Sequence, residues 1–191
     1  VSNADLKLAF DDTVGSGRVY LYDHFGSLSA NNLLDKIRYL AKGCDVSFIV
    51  LDHLSIAVSG LENGSDGRAL DERKAIDVLM TQLRSLVEET GIGMILVSHL
   101  RRPEGNKGFE EGIATSLNAL RGSASIAQLS DSVIGLERNQ QSEDEANQVT
   151  VRVLKNRFSG ETGIATTLYF DKQTGRLSES EFTQDEFNAE Y

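Results

Sequence analysis

Large apolar residues fall into two patterns along the chain. In the first they run together: Phe48-Ile49-Val50-Leu51 and Met94-Ile95-Leu96-Val97 are unbroken apolar stretches, closed by Asp52-His53 and Ser98-His99. Runs of this kind predict strands buried on both faces of a parallel sheet. In the second they recur at helical spacing. Leu70, Ala75, Ile76, Leu79, Met80, Leu83, Leu86 and Val87 form one stripe from Ala69 to about Thr90, and Gly91 follows it. Leu33, Leu34, Ile37, Leu40 and Ala41 form a shorter one, with Ser29 as N-cap and Gly43 as C′ residue. Residues 5–12 read as the end of a helix, and Val19 to Asp23 as a short strand.

After residue 130 the periodicity changes. Val133 to Leu136 reads as a strand, and Val149 to Leu154 and Thr166 to Phe170 alternate with period two around the turn Ser159-Gly160-Glu161-Thr162-Gly163. A last strand is expected at Arg176-Leu177. Strands alternating with helices, then strands alone, predict an α/β fold: a mainly parallel sheet with antiparallel edge strands in three α/β/α layers, spanning 1–177. Ligands of such sheets lie beyond the carboxyl ends of the strands. Asp23, Asp52, His99 and Arg138 would therefore share one rim. Two loops stand out, Gly60 to Gly67 and 101–115, the second long enough to be functional or disordered.

Composition narrows the classes. No apolar run is long enough to span a membrane, and no signal peptide is visible, which places the chain in a cytoplasm, bacterial or phage-infected. Cys44 is a lone cysteine and the three histidines lack metal-ligand spacing. The net charge of −10 speaks against nucleic acid. Its distribution does not, because acids gather at Glu137 to Glu145 and after Ser178, whereas Arg101, Arg102, Lys107 and Arg121 fall in Gly-rich loop.

Five segments taken in order resemble the motifs of DnaB-type replicative DNA helicases, the primase-helicases of T-odd bacteriophages and Twinkle among them. They are Phe48 to His53, Met94 to Leu100, Leu120-Arg121-Gly122-Ser123 with Gln128-Leu129-Ser130-Asp131, Glu137 to Gln141, and Leu154 to Gly160. The resemblance covers about residues 18–178 and implies a RecA-like P-loop nucleotide-hydrolase core that consumes ATP or dTTP with Mg²⁺.

By that resemblance Asp52 holds the water shell of Mg²⁺, and His99 senses the γ-phosphate. Arg157, with Lys155 beside it, is an arginine finger reaching the nucleotide of a neighbouring subunit. Arg138 and Phe170 grip the base, Phe170 standing where Tyr is expected, and Gln128 joins the nucleotide contacts. Arg101, Arg102, Lys107, Arg121 and Gly122 track single-stranded DNA through its phosphates. The implied assembly is a homo-hexamer moving 5′ to 3′. The acidic, aromatic-ended tail 178–191 reads as disordered, and the resemblance implies that it binds the replicative polymerase.

The sequence starts at Val1 rather than Met, and no Gly-x-x-x-x-Gly-Lys-Ser/Thr loop occurs in its 191 residues. The expectation is an N-terminally truncated piece of a longer protein, inactive alone, with the phosphate loop and catalytic glutamate upstream. A RecA or circadian-clock type recombination ATPase and a catalytically dead RecA-fold scaffold are the rival readings.

Overall fold

The computed structural model describes residues 2–22, 30–59, 72–103, 107–120 and 124–179. Asp23, Ser29, the Gly60 to Gly67 loop, Arg121, Gly122 and residues 180–191 of the expected tail lie outside them.

Helix α1 (Asn3–Asp12) is started by a capping box in which Ser2 and Asp5 exchange hydrogen bonds, yet it buries no residue. The expected strand from Val19 is absent among the described residues: Val19 to Tyr22 is irregular and exposed, and Asp23 lies outside them. The core is built by α2 (Ala30–Gly43), α3 (Leu54–Ser59) and α4 (Glu72–Thr90). Six positions of the predicted α4 stripe, Ala75, Ile76, Leu79, Met80, Leu83 and Leu86, are buried against Leu33, Leu34 and Ile37 of α2 and Leu54 and Val58 of α3. Gly91 ends α4 at φ 74, its N–H donating to Val87 O, a left-handed conformation that side chains resist. At the end of α2 the left-handed residue is Asp45 (φ 54) and not the expected Gly43, which remains helical.

The helices cover one face of a two-stranded parallel sheet, β1 (Phe48–Leu51) and β2 (Gly93–Leu96), in register from Phe48 opposite Gly93 to Leu51 opposite Leu96. Ile49, Leu51, Met94 and Leu96 pack onto the core, whereas Phe48, Val50 and Ile95 are exposed. The expectation of burial on both faces is thus corrected: among the described residues no element covers the second face, and the layering there is two-deep.

The antiparallel part is a separate four-stranded sheet in sequence order: β3 (Ser132–Glu137), β4 (Gln148–Asn156), β5 (Gly163–Phe170) and β6 (Leu177–Ser178). Among the described residues it is not hydrogen-bonded to β2 as an edge of one sheet, and α5 (Ala124–Leu129) comes between β2 and β3 in chain order. Ser178, expected to open the tail, pairs with Tyr169 in β6.

One irregularity in β4 matters for the site. Ile134 pairs with Val153 and Val133 with Lys155, so Leu154 is an extra residue with no partner in β3. Residues paired across a ladder share a face. The bulge therefore puts Lys155, and Arg157 two residues on, on the face of Val133, where strict alternation from Arg152 would put Leu154 and Asn156.

Candidate functional site

Chemistry-bearing residues gather in four places. The first is the carboxyl end of β1 and β2. Their ladder is prolonged by Val97 N–H donating to Leu51 O (3.0 Å) and Leu54 N–H donating to Val97 O (2.9 Å), so Asp52 and His99 emerge on neighbouring strand ends, as their positions in the sequence predict. Asp52 is exposed. His99 is exposed too and meets the half-buried His53 edge-on, ring centroids 4.1 Å apart. Although this contact escapes a search for ligand spacing, both histidines follow apolar runs, and parallel pairing of those runs brings them together. His53 Nδ1 is buried with no partner among the described residues.

Those donors bear on the implied metal. Among the described residues no three His, Cys, Asp or Glu side chains are grouped so as to hold an ion. One exposed carboxylate fits Mg²⁺, which keeps several waters and is bound through one or two carboxylates plus substrate phosphates. It does not fit a closed Zn²⁺ site.

The second place is the end of the antiparallel sheet where β3 stops and β4 starts. Arg138 Nε donates to Ala146 O (2.6 Å), and Phe170 N–H donates to Asn147 O (2.8 Å). Arg138 and Phe170 thus flank the same turn from either side of β4. A shallow, open hollow lies there between Phe170, Tyr169, Asn147, Gln148 and Lys172. Asn139 shapes the turn by accepting from the backbone N–H of Gln141 and Ser142 through Oδ1.

The third place is the opposite end of β4. Lys155 Nζ donates to the carbonyls of Ala127 (2.7 Å), Gln128 (3.2 Å) and Ser130 (2.8 Å), so all three ammonium donors serve the C-terminal end of α5. Gln128 enters the cluster through its backbone, while its side chain is exposed. Arg157 donates to the same Gln128 carbonyl (3.1 Å) and pairs with Asp131 (3.0 Å). Asp131 in turn receives Arg84 of α4 (2.7 Å). The Arg84 hydrogen bond is the main cause holding the Asp131 carboxyl below the usual range.

The fourth is the loop after His99. Its ends close where Leu100 bridges Leu120 and Arg101 N–H donates to Ala119 O (2.7 Å). The Arg101 guanidinium is held on Asn118 O (3.1 Å), whereas Arg102 and Lys107 are exposed. The far half of this loop is docked, not loose. Glu111 bridges Asn139, Gln140 N–H donates to Glu110 O (2.8 Å), and Thr115 is buried against β3.

A latch holds that docking, and neither spacing nor composition points to it. Val133, Gly135 and Glu137 lie on the buried face of β3. The Glu137 carboxylate accepts from Thr115 N–H (2.7 Å) and Thr115 Oγ1 (2.8 Å), and from Arg152 Nε (2.6 Å) and one terminal guanidinium N–H (3.0 Å). A Cβ at Gly135 would lie 2.1 Å from Thr115 Oγ1, so only glycine allows the loop this close. Burial pushes the Glu137 carboxyl up, but the bonds from Arg152 and Thr115 outweigh it and leave it below its ordinary value. The available signal is a carboxylate at an inward position of an alternating strand, diagonal to an arginine.

A parallel strand pair packed on helices and followed by an antiparallel sheet is consistent with a RecA-like α/β fold. The structure of the chain is similar to that of a KaiC-like protein from the archaeon Pyrococcus horikoshii, with a TM-score of 0.56 at 17% identity, over 93% of this chain and 70% of the other. At that identity the likeness shows the fold alone. Residues 7–179 match the DnaB-like helicase C terminal domain, and the chain belongs to this family. It is 45% identical to the DNA helicase/primase of Enterobacteria phage T3 over 174 residues, 91% of this chain and 30% of the relative. It is 26% identical to a probable plasmid replicative DNA helicase of Chlamydia psittaci over 152 residues, 80% of this chain and 31% of the relative. The chain thus spans about a third of the length of these relatives. Among the described residues no helix is long and apolar enough to cross a membrane.

Proposed function

We propose that residues 1–177 form the C-terminal part of the motor domain of an ATP- or dTTP-driven replicative DNA helicase that acts as a homo-hexameric ring and moves 5′ to 3′ on single-stranded DNA in the bacterial or phage-infected cytoplasm. The observation that carries this reading is the separation of the groups. From Gln148 to Asn156 strand β4 extends about 27 Å, with Arg138 and Phe170 at one end and Arg157 at the other. A finger and a base clamp on one chain would serve different nucleotides, as at the interfaces of a ring. With Asp52 and His99 on a separate rim, each interface would draw residues from two copies.

The division of labour follows. Asp52 would hold Mg²⁺ beside the phosphates, where the ion neutralises charge developing on the transferred group. His99 would donate to a terminal phosphate oxygen and pass its loss to the loop that begins at Leu100. Arg157 would approach in trans: one of its five N–H groups is hydrogen-bonded to Gln128 O, and its guanidinium is ion-paired with Asp131, which leaves donors for an anion. Lys155, saturated by carbonyls, would support α5 and not touch phosphate. Gln128, through the same carbonyl, would fix where the finger stands. Arg102 and Lys107, with Arg101, Arg121 and Gly122, would follow the DNA backbone. The 178–191 tail would bind the replicative polymerase.

The decisive experiment is strand separation of a forked duplex by the intact protein with ATP or dTTP. Nucleotide-dependent unwinding is expected; its absence overturns the reading, whereas the chain alone, lacking a phosphate loop in its sequence, is expected to be inactive. The DNA contacts have their own signature. Substituting both Arg102→Ala and Lys107→Ala is expected to flatten the slope of log affinity against log salt for single strands by about 1.4, near 0.7 per lost phosphate contact. A slope equal to that of the unsubstituted protein would remove both residues from the interface.

A further inference from the structure

Asp131 lies at the junction of three elements. It directly precedes β3, and its backbone carbonyl accepts from Arg157 N–H (2.9 Å), continuing the β3–β4 ladder by one step. Its carboxylate is divided: Oδ1 faces the Arg157 guanidinium at 3.0 Å, and Oδ2 receives the Arg84 guanidinium at 2.7 Å. Arg84 is itself fixed by Glu88 one turn along α4 (2.9 Å). The side chains of Asp131, Arg84 and Arg157 are 35%, 29% and 48% exposed.

Ion pairs this accessible add little to folding. The convergence of two guanidiniums on one carboxylate is thus a poor device for stability. It is a better device for direction, since the Arg157 guanidinium is hydrogen-bonded to the Gln128 carbonyl through one terminal nitrogen while the Asp131 charge lies 3.0 Å from the other.

We propose that Asp131 is the positioning residue for Arg157, and that Arg84 keeps the Asp131 carboxylate turned toward it. The inference rests on the reading of Arg157 as a trans-acting finger. It adds that the finger is aimed by a carboxylate anchored to α4, whose Ala75, Ile76, Leu79, Met80, Leu83 and Leu86 are buried. The Asp131 carboxylate touches neither nucleotide nor DNA in this scheme and acts only through the guanidinium it holds.

The test is steady-state nucleotide hydrolysis by the intact protein in four forms: unsubstituted, Asp131→Asn, Arg157→Ala, and the two combined. Asp131→Asn keeps the shape and removes the charge. A finger left to wander by about 1 Å loses on the order of 10²-fold in rate, so kcat is expected to fall by about that factor while KM for the nucleotide stays within about twofold. Arg157→Ala should fall at least as far, and the combined form no further than Arg157→Ala alone, because a positioner has nothing to position once its target is gone. A second variant, Arg84→Met, leaves the Asp131–Arg157 pair and should lower kcat by a smaller factor, which guards against an Asp131→Asn protein that fails to fold. Unchanged kcat in Asp131→Asn beside an impaired Arg157→Ala would overturn the inference and leave the finger reading intact. A combined form that multiplies the two losses would also overturn it, since Asp131 would then act independently. Full turnover in Arg157→Ala would overturn the finger reading itself.

Discussion

Asp52→Asn in the intact protein is expected to lower nucleotide hydrolysis by about 10³-fold while leaving its thermal unfolding unchanged. The rate effect follows from the task proposed for the carboxylate. A metal ion neutralising the transferred phosphoryl group stabilises the transition state by several kcal/mol, and each 1.36 kcal/mol is a factor of ten. Asparagine keeps the size of Asp52 and loses the negative charge that would hold the hydrated ion. The absence of a stability effect follows from position. Asp52 is exposed beyond the end of β1, and no described residue bonds its carboxylate. Substitutions at such sites usually stay within about 0.5 kcal/mol. Parallel measurement of turnover and melting separates the two, and a large loss of stability would recast Asp52 as a structural residue.

Arg152→Met should open the 107–116 loop. It removes one partner of a buried pair, and the remaining carboxylate, Glu137, has a side chain only 7% exposed. Breaking a buried pair from one side leaves a charge uncompensated; Arg152 is partly exposed and the two bonds from Thr115 survive, so the expected result is a measurable loss of stability and not collapse of the fold. Hydrogen exchange at the Thr115 amide reads it directly, because that N–H points at Glu137. Combining Arg152→Met with Glu137→Gln should cost less than the sum of the two, as no uncompensated charge is then buried.

The same latch sets a pH dependence. The folded Glu137 carboxyl is held below its unfolded value, so the unfolded chain takes up a proton first as the solution is acidified. The stabilisation from Glu137 is therefore complete above about pH 4.3, the free glutamate value, and is lost as pH falls through the folded one. Glu137→Gln should remove this share of the acid sensitivity, and an unaltered acid limb would show that other carboxylates dominate it.

How far these features can be read from sequence depends on the range of the interaction. The α4 stripe was legible because helical period is local, and Ala75 to Leu86 face the core as spaced. Of the expected rim the pair Asp52 and His99 was legible, because each ends an apolar run and parallel strands align their ends; Arg138 is not on it, since β3 belongs to the separate antiparallel sheet, and Asp23 lies outside the described residues. In β1, four apolar residues revealed a strand, but whether its second face is covered depends on other elements, and Phe48 and Val50 are exposed. Val19 to Tyr22 had strand composition but take no strand conformation. The latch joins residues 22 and 15 positions apart, with Glu137 hidden at the head of an acidic run. Lys155 and Arg157 share a face with Glu137 only because Leu154 breaks the alternation, which counting by twos cannot reveal.

That extra residue also makes the strand's tolerance to changes in length unequal. Between Arg152 and Lys155, β4 carries one residue more than β3 can pair. Deletion of Leu154 would restore an even ladder with Arg152 still opposite Gly135 and Lys155 still opposite Val133, so latch and finger would keep their sides. An insertion at the same point has no spare position to consume and would turn everything beyond it over. In this chain, removal of one residue here keeps the polarity of β4, whereas addition of one is expected to reverse it.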